Sequence, residues 1–184
     1  MFYGFDARIT HLVNSIAGSI PFLDFLMIWI SAAGVPILVL AVAIQWWRRL
    51  DRAHVRFVLV TAGLSFLVGL ALNQIILLVF QRIRPYDAGI TQLLISKSAD
   101  PSFPSDHATA ATAIAVAFIV CRMRWNALAF SIAAVLVMIS RVYIGTHYVS
   151  DVLGGAATGA IAVTLVRLTY HEQSRVNRML TSIL

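Results

Sequence analysis

The chain has 184 residues, 60% of them hydrophobic and only 12% charged, with a mean hydropathy of +0.85, which excludes a soluble globular domain and marks an integral membrane protein. A net charge of +6 would point to nucleic acid in a soluble protein. Here the basic residues cluster in short loops between apolar runs, so they report topology and contact with anionic lipid, and no nucleic-acid partner is expected.

Residues 4–18 carry Phe5, Ile9, Leu12, Val13 and Ile16 at helical spacing. We read this segment as an amphipathic helix lying in the membrane interface, with a short sixth span as the alternative. It lacks the basic start, clean apolar run and small-residue cleavage site of a removable signal peptide. Pro21 opens the first span. Residues 25–47 hold no charge and are long enough to cross a bilayer, with Pro36 inside the run as a predicted kink. Residues 57–80 form a second uncharged run, with Asn73 and Gln74 late in it. The runs 108–121, 125–139 and 152–166 are shorter. They reach across only if their polar ends, 104–107, 140–141 and 147–151, are also helical or nearly so. Cys121 is the only cysteine; it excludes an internal disulfide and a cysteine-based zinc site, and reads as filler at a helix end. The expectation is an all-α polytopic bundle of five to six transmembrane helices plus the N-terminal interfacial helix, forming one domain over residues 1–184. Gly155 and Gly159 make a small-xxx-small pair suited to close helix contact.

Arg48, Arg49, Arg52 and Arg56 fill the first loop, Arg122 and Arg124 the third, and Arg167, Arg175 and Arg178 follow the last span. With five spans these fall on one side, expected to be cytoplasmic. The other side holds the N-terminus, the 81–103 loop and the 141–150 loop.

Three polar stretches converge on that second side: Arg82-Ile83-Arg84-Pro85, Pro104-Ser105-Asp106-His107, and Ser140-Arg141 followed by His147 and Asp151. A charged group at the centre of a membrane helix costs about 2.5–3.5 kcal/mol on insertion scales, so a chain that gathers several is expected to use them. His147 and Asp151 are four residues apart and share a face if helical. A carboxylate hydrogen-bonded to one imidazole nitrogen fixes the tautomer and leaves the other free to attack. Alone, the pair is more often a structural hydrogen bond. Ser105 fits a helix N-cap, with His107 in the first turn as an acid near N–H groups that attract anions; the bland alternative is a cap with a histidine beside it. Arg84 offers paired donors that match phosphate oxygens, against a snorkelling arginine at the interface, which also describes Arg82 and Lys97. Together on one side, the set fits gripping and cutting a phosphate. No trio of metal ligands has typical spacing and no nucleotide-type glycine loop is present, so a reaction without metal or cofactor is the simpler expectation.

At these residues the sequence resembles the type 2 phosphatidic acid phosphatase (PAP2) superfamily. That family carries Lys-x6-Arg-Pro, Pro-Ser-Gly-His and Ser-Arg-x5-His-x3-Asp motifs. The third matches fully as Ser140, Arg141, His147 and Asp151. The second matches with Asp106 in place of glycine. The first matches as Arg84-Pro85, with Leu77 at the lysine position. The resemblance covers roughly residues 70–160. The run from Ala99 to His107 and the context Gly145-Thr146-His147-Tyr148 look like the bacitracin-resistance type of undecaprenyl pyrophosphate phosphatase within it. The resemblance implies removal of one phosphate from undecaprenyl diphosphate on the outer side of the bacterial cytoplasmic (inner) membrane, recycling a carrier lipid for cell-wall synthesis. It implies His147 as nucleophile, Asp151 as its orienting carboxylate and His107 as acid. Arg84, Arg141 and Ser105 would hold the transferring phosphoryl group. Arg82 or Lys97 would stand in for the missing lysine, and Asp106 would cap the helix start, pair with an arginine, or help recognise the diphosphate.

Two alternatives stay open. The same chemistry suits phosphatidylglycerophosphate, phosphatidic acid or a lipid A phosphate, since the motif residues bind only phosphate. A non-catalytic transporter or anion-binding scaffold also tolerates intramembrane charge, but five short spans without an inverted repeat and a His–Asp pair beside arginines argue against it. The expected partners are a polyprenyl diphosphate or other phosphorylated lipid and the bilayer.

Overall fold

The computed structural model describes residues 2–182, with side chains from residue 4 onward. These residues fold into seven α-helices: α1 (Phe2–Asn14), α2 (Pro21–Ile44), α3 (Arg52–Val79), α4 (Asp106–Val120), α5 (Arg124–Tyr143), α6 (Val149–Thr169) and α7 (Arg175–Thr181). A short 3-10 turn, Gln45–Trp47, extends α2. Four helices, α2 with its extension, α3, α5 and α6, are long and apolar enough to cross a membrane, and α4 is a shorter apolar helix of 15 residues.

All five apolar runs become helices, and the short ones do so by absorbing polar ends. α5 continues through Ser140 and Arg141 to Tyr143, and α6 starts early enough to include Asp151. α4 takes in Asp106 and His107 but not Pro104 or Ser105. His147 stays outside, in the loop before α6. α2 runs through Pro36 as one helix.

α4 sits in the middle, packed against α3, α5 and α6. Its buried side is mostly alanine: Ala108, Ala110, Ala111, Ala113, Ala115 and Ala117. Between membrane helices, where lipid tails are as apolar as leucine, association depends on close packing by small residues. Gly155 and Gly159 supply the matching surface on α6. A Cβ at Gly159 would lie 2.6 Å from the carbonyl oxygen of Thr109, and one at Gly155 would strike the carbonyl oxygen of Ser105. The small-xxx-small pair therefore brings the start of α6 onto the start of α4. Large apolar side chains point outward instead, including Phe22, Trp29 and Leu40 on α2.

At 13 residues, α1 rises about 20 Å, short of the ~30 Å hydrocarbon core, and accords with the interfacial role. Its apolar side faces away from the bundle, with Phe5 and Leu12 at 64% and 72% exposure, while Asp6, Thr10 and Asn14 are buried. The inward stripe is polar because it bonds the ends of α5 and α6. The Asn14 amide donates to the Tyr143 carbonyl at 2.7 Å, and the Val149 N–H donates to the Thr10 hydroxyl at 3.0 Å.

The opposite end is tied by Asn126 donating to Gln45 at 2.6 Å, His54 bonding Glu172 and the Cys121 carbonyl, and α7. Arg56, counted above as a loop residue, lies within α3 and is buried. Its guanidinium donates to the Thr181 carbonyl at 2.6 Å and covers the Trp46 ring.

Gly159→Ala is expected to destabilise the protein by about 1–3 kcal/mol, the usual cost of overpacking, because the clash is with backbone. Thermal melting in detergent checks it, with Gly63→Ala as control, since a Cβ at Gly63 meets nothing within 4 Å. Equal melting temperatures would contradict the α4–α6 contact.

Candidate active site

A cavity of about 280 Å³ opens where the end of α3, the starts of α4 and α6 and the end of α5 meet; Arg84, Asp106, His107, Arg141 and His147 line it, with Leu77 in its wall. Each arrives by a different route. Arg84 follows α3 in the loop. His107 is in the first turn of α4, Arg141 in the last turn of α5, and His147 in the turn that leads to α6.

His147 is buried. Its Nδ1 bonds the Ser102 carbonyl at 2.8 Å. A carbonyl only accepts, so the proton sits on Nδ1 and Nε2 keeps its lone pair. Burial holds the His147 imidazole below the ordinary histidine value; Arg141 and Arg84 push the same way, and Asp151 opposes them. The neutral, nucleophilic form therefore dominates at neutral pH.

The hydrogen bond expected between His147 and Asp151 is not the one the structure makes. The nearest approach, Nδ1 to Oδ2, is 3.7 Å. Asp151 is fully buried and accepts three other bonds: from the Ser102 hydroxyl at 2.5 Å, the Tyr148 N–H at 2.8 Å and Arg82 at 2.6 Å. Ser102 thus stands between the two, its hydroxyl on the carboxylate and its carbonyl on the imidazole. Sequence reasoning missed it. Its only signal was its place in the run from Ala99 to His107.

Arg84 is anchored by donating to the carbonyls of Asp100 at 2.8 Å and Thr146 at 3.1 Å. Arg141 donates to the Ser31 hydroxyl of α2 at 2.5 Å, while its Nε is buried without a partner among the described residues. Ser105 takes the N-cap position of α4, yet its hydroxyl makes no capping bond. Its Oγ is buried without a partner as well, and its neighbours Pro104 and Asp106 both line the cavity. A buried donor left unmade costs about 1–3 kcal/mol. Two such donors beside one cavity are what an anionic ligand would satisfy. Asp106 accepts from the Asn73 amide at 2.6 Å, which orients it at the helix start.

Two residues expected at the substrate lie outside the cavity lining. Arg82 points away from the cavity. It spans Asp151 and Asp6, both at 2.6 Å, with Tyr148 against its face. Lys97 pairs with Asp87 at 2.7 Å and is largely exposed. Neither takes the place of the lysine that Leu77 displaces, and the guanidiniums lining the cavity are those of Arg84 and Arg141. Ser140 is buried and bonds its own helix, at the Val137 carbonyl. No group of three or more His, Cys, Asp or Glu side chains gathers as for a metal ion among the described residues.

Comparison with known proteins places this arrangement. Residues 58–175 match the PAP2 superfamily. The chain is 35% identical over 143 residues to undecaprenyl-diphosphatase BcrC of Bacillus subtilis, covering 76% of this chain and 70% of that protein. It is 29% identical over 163 residues to an undecaprenyl-diphosphatase of Sulfolobus acidocaldarius, covering 85% and 74%. The fold matches the crystal structure of a transmembrane PAP2-type phosphatidylglycerolphosphate phosphatase from Bacillus subtilis with a TM-score of 0.71 and 26% identity, over 95% of this chain and 88% of that one.

Ser102→Ala keeps the carbonyl on His147 but removes the hydroxyl from Asp151. Partners that orient metal-bound histidines are worth roughly 10–100-fold; by the same orienting logic a loss of about that size in kcat for phosphate release, with the fold intact by melting, is expected. Wild-type turnover would contradict the bridge.

Proposed function

The chain belongs to the PAP2 superfamily of membrane phosphatases, and from that premise we propose that it removes the terminal phosphate of undecaprenyl diphosphate through a phospho-histidine on His147. The observation that carries the reading is the His147 imidazole, its Nδ1 proton held by the Ser102 carbonyl and its lone pair left on Nε2, in a cavity lined by two arginines and a second histidine.

The chemistry follows from the groups present. Nε2 attacks the terminal phosphorus, the bond to the bridging oxygen breaks, and undecaprenyl phosphate leaves with a proton from His107. The imidazole then carries phosphate on Nε2 and positive charge, which Asp151 stabilises from behind. Water next attacks the phosphorus and gives its proton to His107. The P–N bond breaks, inorganic phosphate leaves, and His147 is neutral again. Phosphoryl transfer needs positioning and charge neutralisation above all. Arg84, Arg141, Ser105 and the N–H groups at the start of α4 meet the equatorial oxygens.

The topology supports a site near headgroup depth on the outer face. Arg48, Arg49, Arg52, Arg122, Arg124, Arg167, Arg175 and Arg178 all belong to the opposite end of the bundle, which the positive-inside rule assigns to the cytoplasm. The product would re-enter cell-wall synthesis as a carrier lipid. Phosphatidylglycerophosphate is the second reading, favoured by the substrate named for the structural neighbour. The relatives named for undecaprenyl diphosphate match at higher identity, 35% and 29% against 26%, and that ranks it first.

Phosphate release by purified protein from undecaprenyl diphosphate, phosphatidylglycerophosphate and phosphatidic acid separates the readings. Preference for the diphosphate, loss of at least about 10³-fold in His147→Ala, as for other essential nucleophiles, and survival of turnover in EDTA are expected. Preference for a monoester lipid moves the substrate assignment. Turnover retained in His147→Ala, or abolished reversibly by EDTA, contradicts the mechanism.

A further inference from the structure

Arg82 lies two residues before Arg84 but does a different job. It is half-buried against Asp151, and a lone guanidinium there would cancel the carboxylate charge that stands behind His147. Asp6 prevents that. Its carboxylate takes the Arg82 Nη2 at 2.6 Å, the Ser150 N–H at 3.0 Å and the Ser150 hydroxyl at 2.5 Å. Arg82 Nη1 reaches Ser150 and Asp151, each at 2.6 Å. Asp6, Arg82 and Asp151 therefore carry one positive and two negative charges, a net −1. Asp6 is 6% exposed and Asp151 is 0% exposed, so water screens this balance weakly.

We infer that Asp6, on the N-terminal helix, is a positioning residue of the reaction: through Arg82 and Ser150 it holds Asp151 in place and preserves the negative charge behind His147. The assignment rests on His147 being the nucleophile. Asp6 lies outside residues 58–175 that match the family, and nothing in its own sequence context marks it. It is placed by the polar stripe of α1, where Thr10 receives the next backbone N–H of the same turn, that of Val149. The N-terminal helix thereby becomes part of the catalytic support.

The groups that face His147 define what the effect should be. Arg84 from the loop after α3, Arg141 from α5 and His107 from α4 stand on the cavity side; Asp151 from α6 and the Ser102 carbonyl stand behind. Arg84 and Arg141 put positive charge in front; behind, the positive charge of Arg82 is outweighed by Asp151 and Asp6. Removing one negative charge from the rear leaves a positive phospho-imidazole less compensated, and a proton on His147 less favourable. Substrate binding, on the other face, changes little.

Asp6→Asn and Asp6→Glu in the full chain in detergent test this. Two quantities are read: kcat and KM for lipid phosphate hydrolysis, and the titration midpoint of His147 by NMR of 15N-histidine-labelled protein, assigned against His147→Ala. In Asp6→Asn we expect kcat to fall roughly 10–100-fold with KM within about twofold, as when an interaction made only in the transition state is lost, and the His147 midpoint to fall. Asp6→Glu should recover most of the rate. Wild-type kcat and an unmoved midpoint in Asp6→Asn overturn the assignment, as does a lost rate with an unmoved midpoint. If Asp6→Asn loses its fold, Arg82→Gln, which takes away the guanidinium that bridges Asp6 and Asp151, is read instead, and a wild-type kcat there overturns the assignment equally. If the wild-type protein hydrolyses no lipid phosphate, the proposed function fails. The His147 titration needs no substrate and then decides the role of Asp6 alone.

Discussion

The structure turns on one buried carboxylate. Asp151 has no contact with solvent, and an ionised carboxylate in such a place survives only if every oxygen is met by a donor. Its partners come from four parts of the chain: the Ser102 hydroxyl from the loop before α4, the Tyr148 N–H from the start of α6, Arg82 from the loop after α3 and, through Arg82, Asp6 from α1. Satisfying that one group fixes the 81–103 loop against α6 and seats the N-terminal helix. The same bonds leave His147 with a defined tautomer, because the residue that donates to Asp151 also offers its carbonyl to the imidazole. Stability and chemistry share the anchor.

Close packing puts this anchor directly behind the cavity. The alanine face of α4 and the glycines of α6 bring two helix starts together near Ser105 and Asp151, whose backbones bond directly at 3.1 Å. The ends of α3 and α5 then deliver Arg84 and Arg141 to the same cavity. Bulkier residues at Gly155 or Gly159 would hold the two starts apart and open the cavity to water, where the arginine charges would be screened.

Most of the architecture was legible in the amino-acid sequence because membrane helices announce themselves by unbroken apolar length. The condition set on the three short runs, that they recruit their polar ends, is met by α5 in full and by α4 and α6 in part. The 7-residue α7 was not legible, since Arg175–Thr181 has no apolar run and docks through Arg56 and Tyr170. At the site, motif spacing found the residues that line the cavity but not how they are held. A spacing of four between His147 and Asp151 predicts a shared helical face. The helix begins only at Val149, so the imidazole turns to a loop carbonyl instead. Ser102 and Asp6 act through backbone and charge at sequence separations of 45 and 144 residues from their partners, and such long-range pairings leave no local pattern. Arg82 and Lys97 are the stand-ins that the missing lysine suggests, with snorkelling as the alternative; the carboxylates that engage them, Asp6 and Asp87, lie 76 and 10 residues away and belong to no motif.

Asp106 and Leu77 distinguish this cavity. With Leu77 where the family motif has lysine, and Asp106 where it has glycine, the lining carries less positive charge than the motif implies. Asp106 is fixed by Asn73, one turn before Leu77 on α3, so both departures sit on one wall. With a leucine and a carboxylate there, the positive charge that the lining offers a phosphoryl group comes from Arg84 and Arg141. The most direct measurement is rapid acid-free quenching of turnover with substrate labelled in its terminal phosphate, followed by mapping of the label. The account predicts a transient, base-stable and acid-labile label on the peptide that contains His147. Turnover with no labelled protein at any time, or a label on another residue, would contradict it.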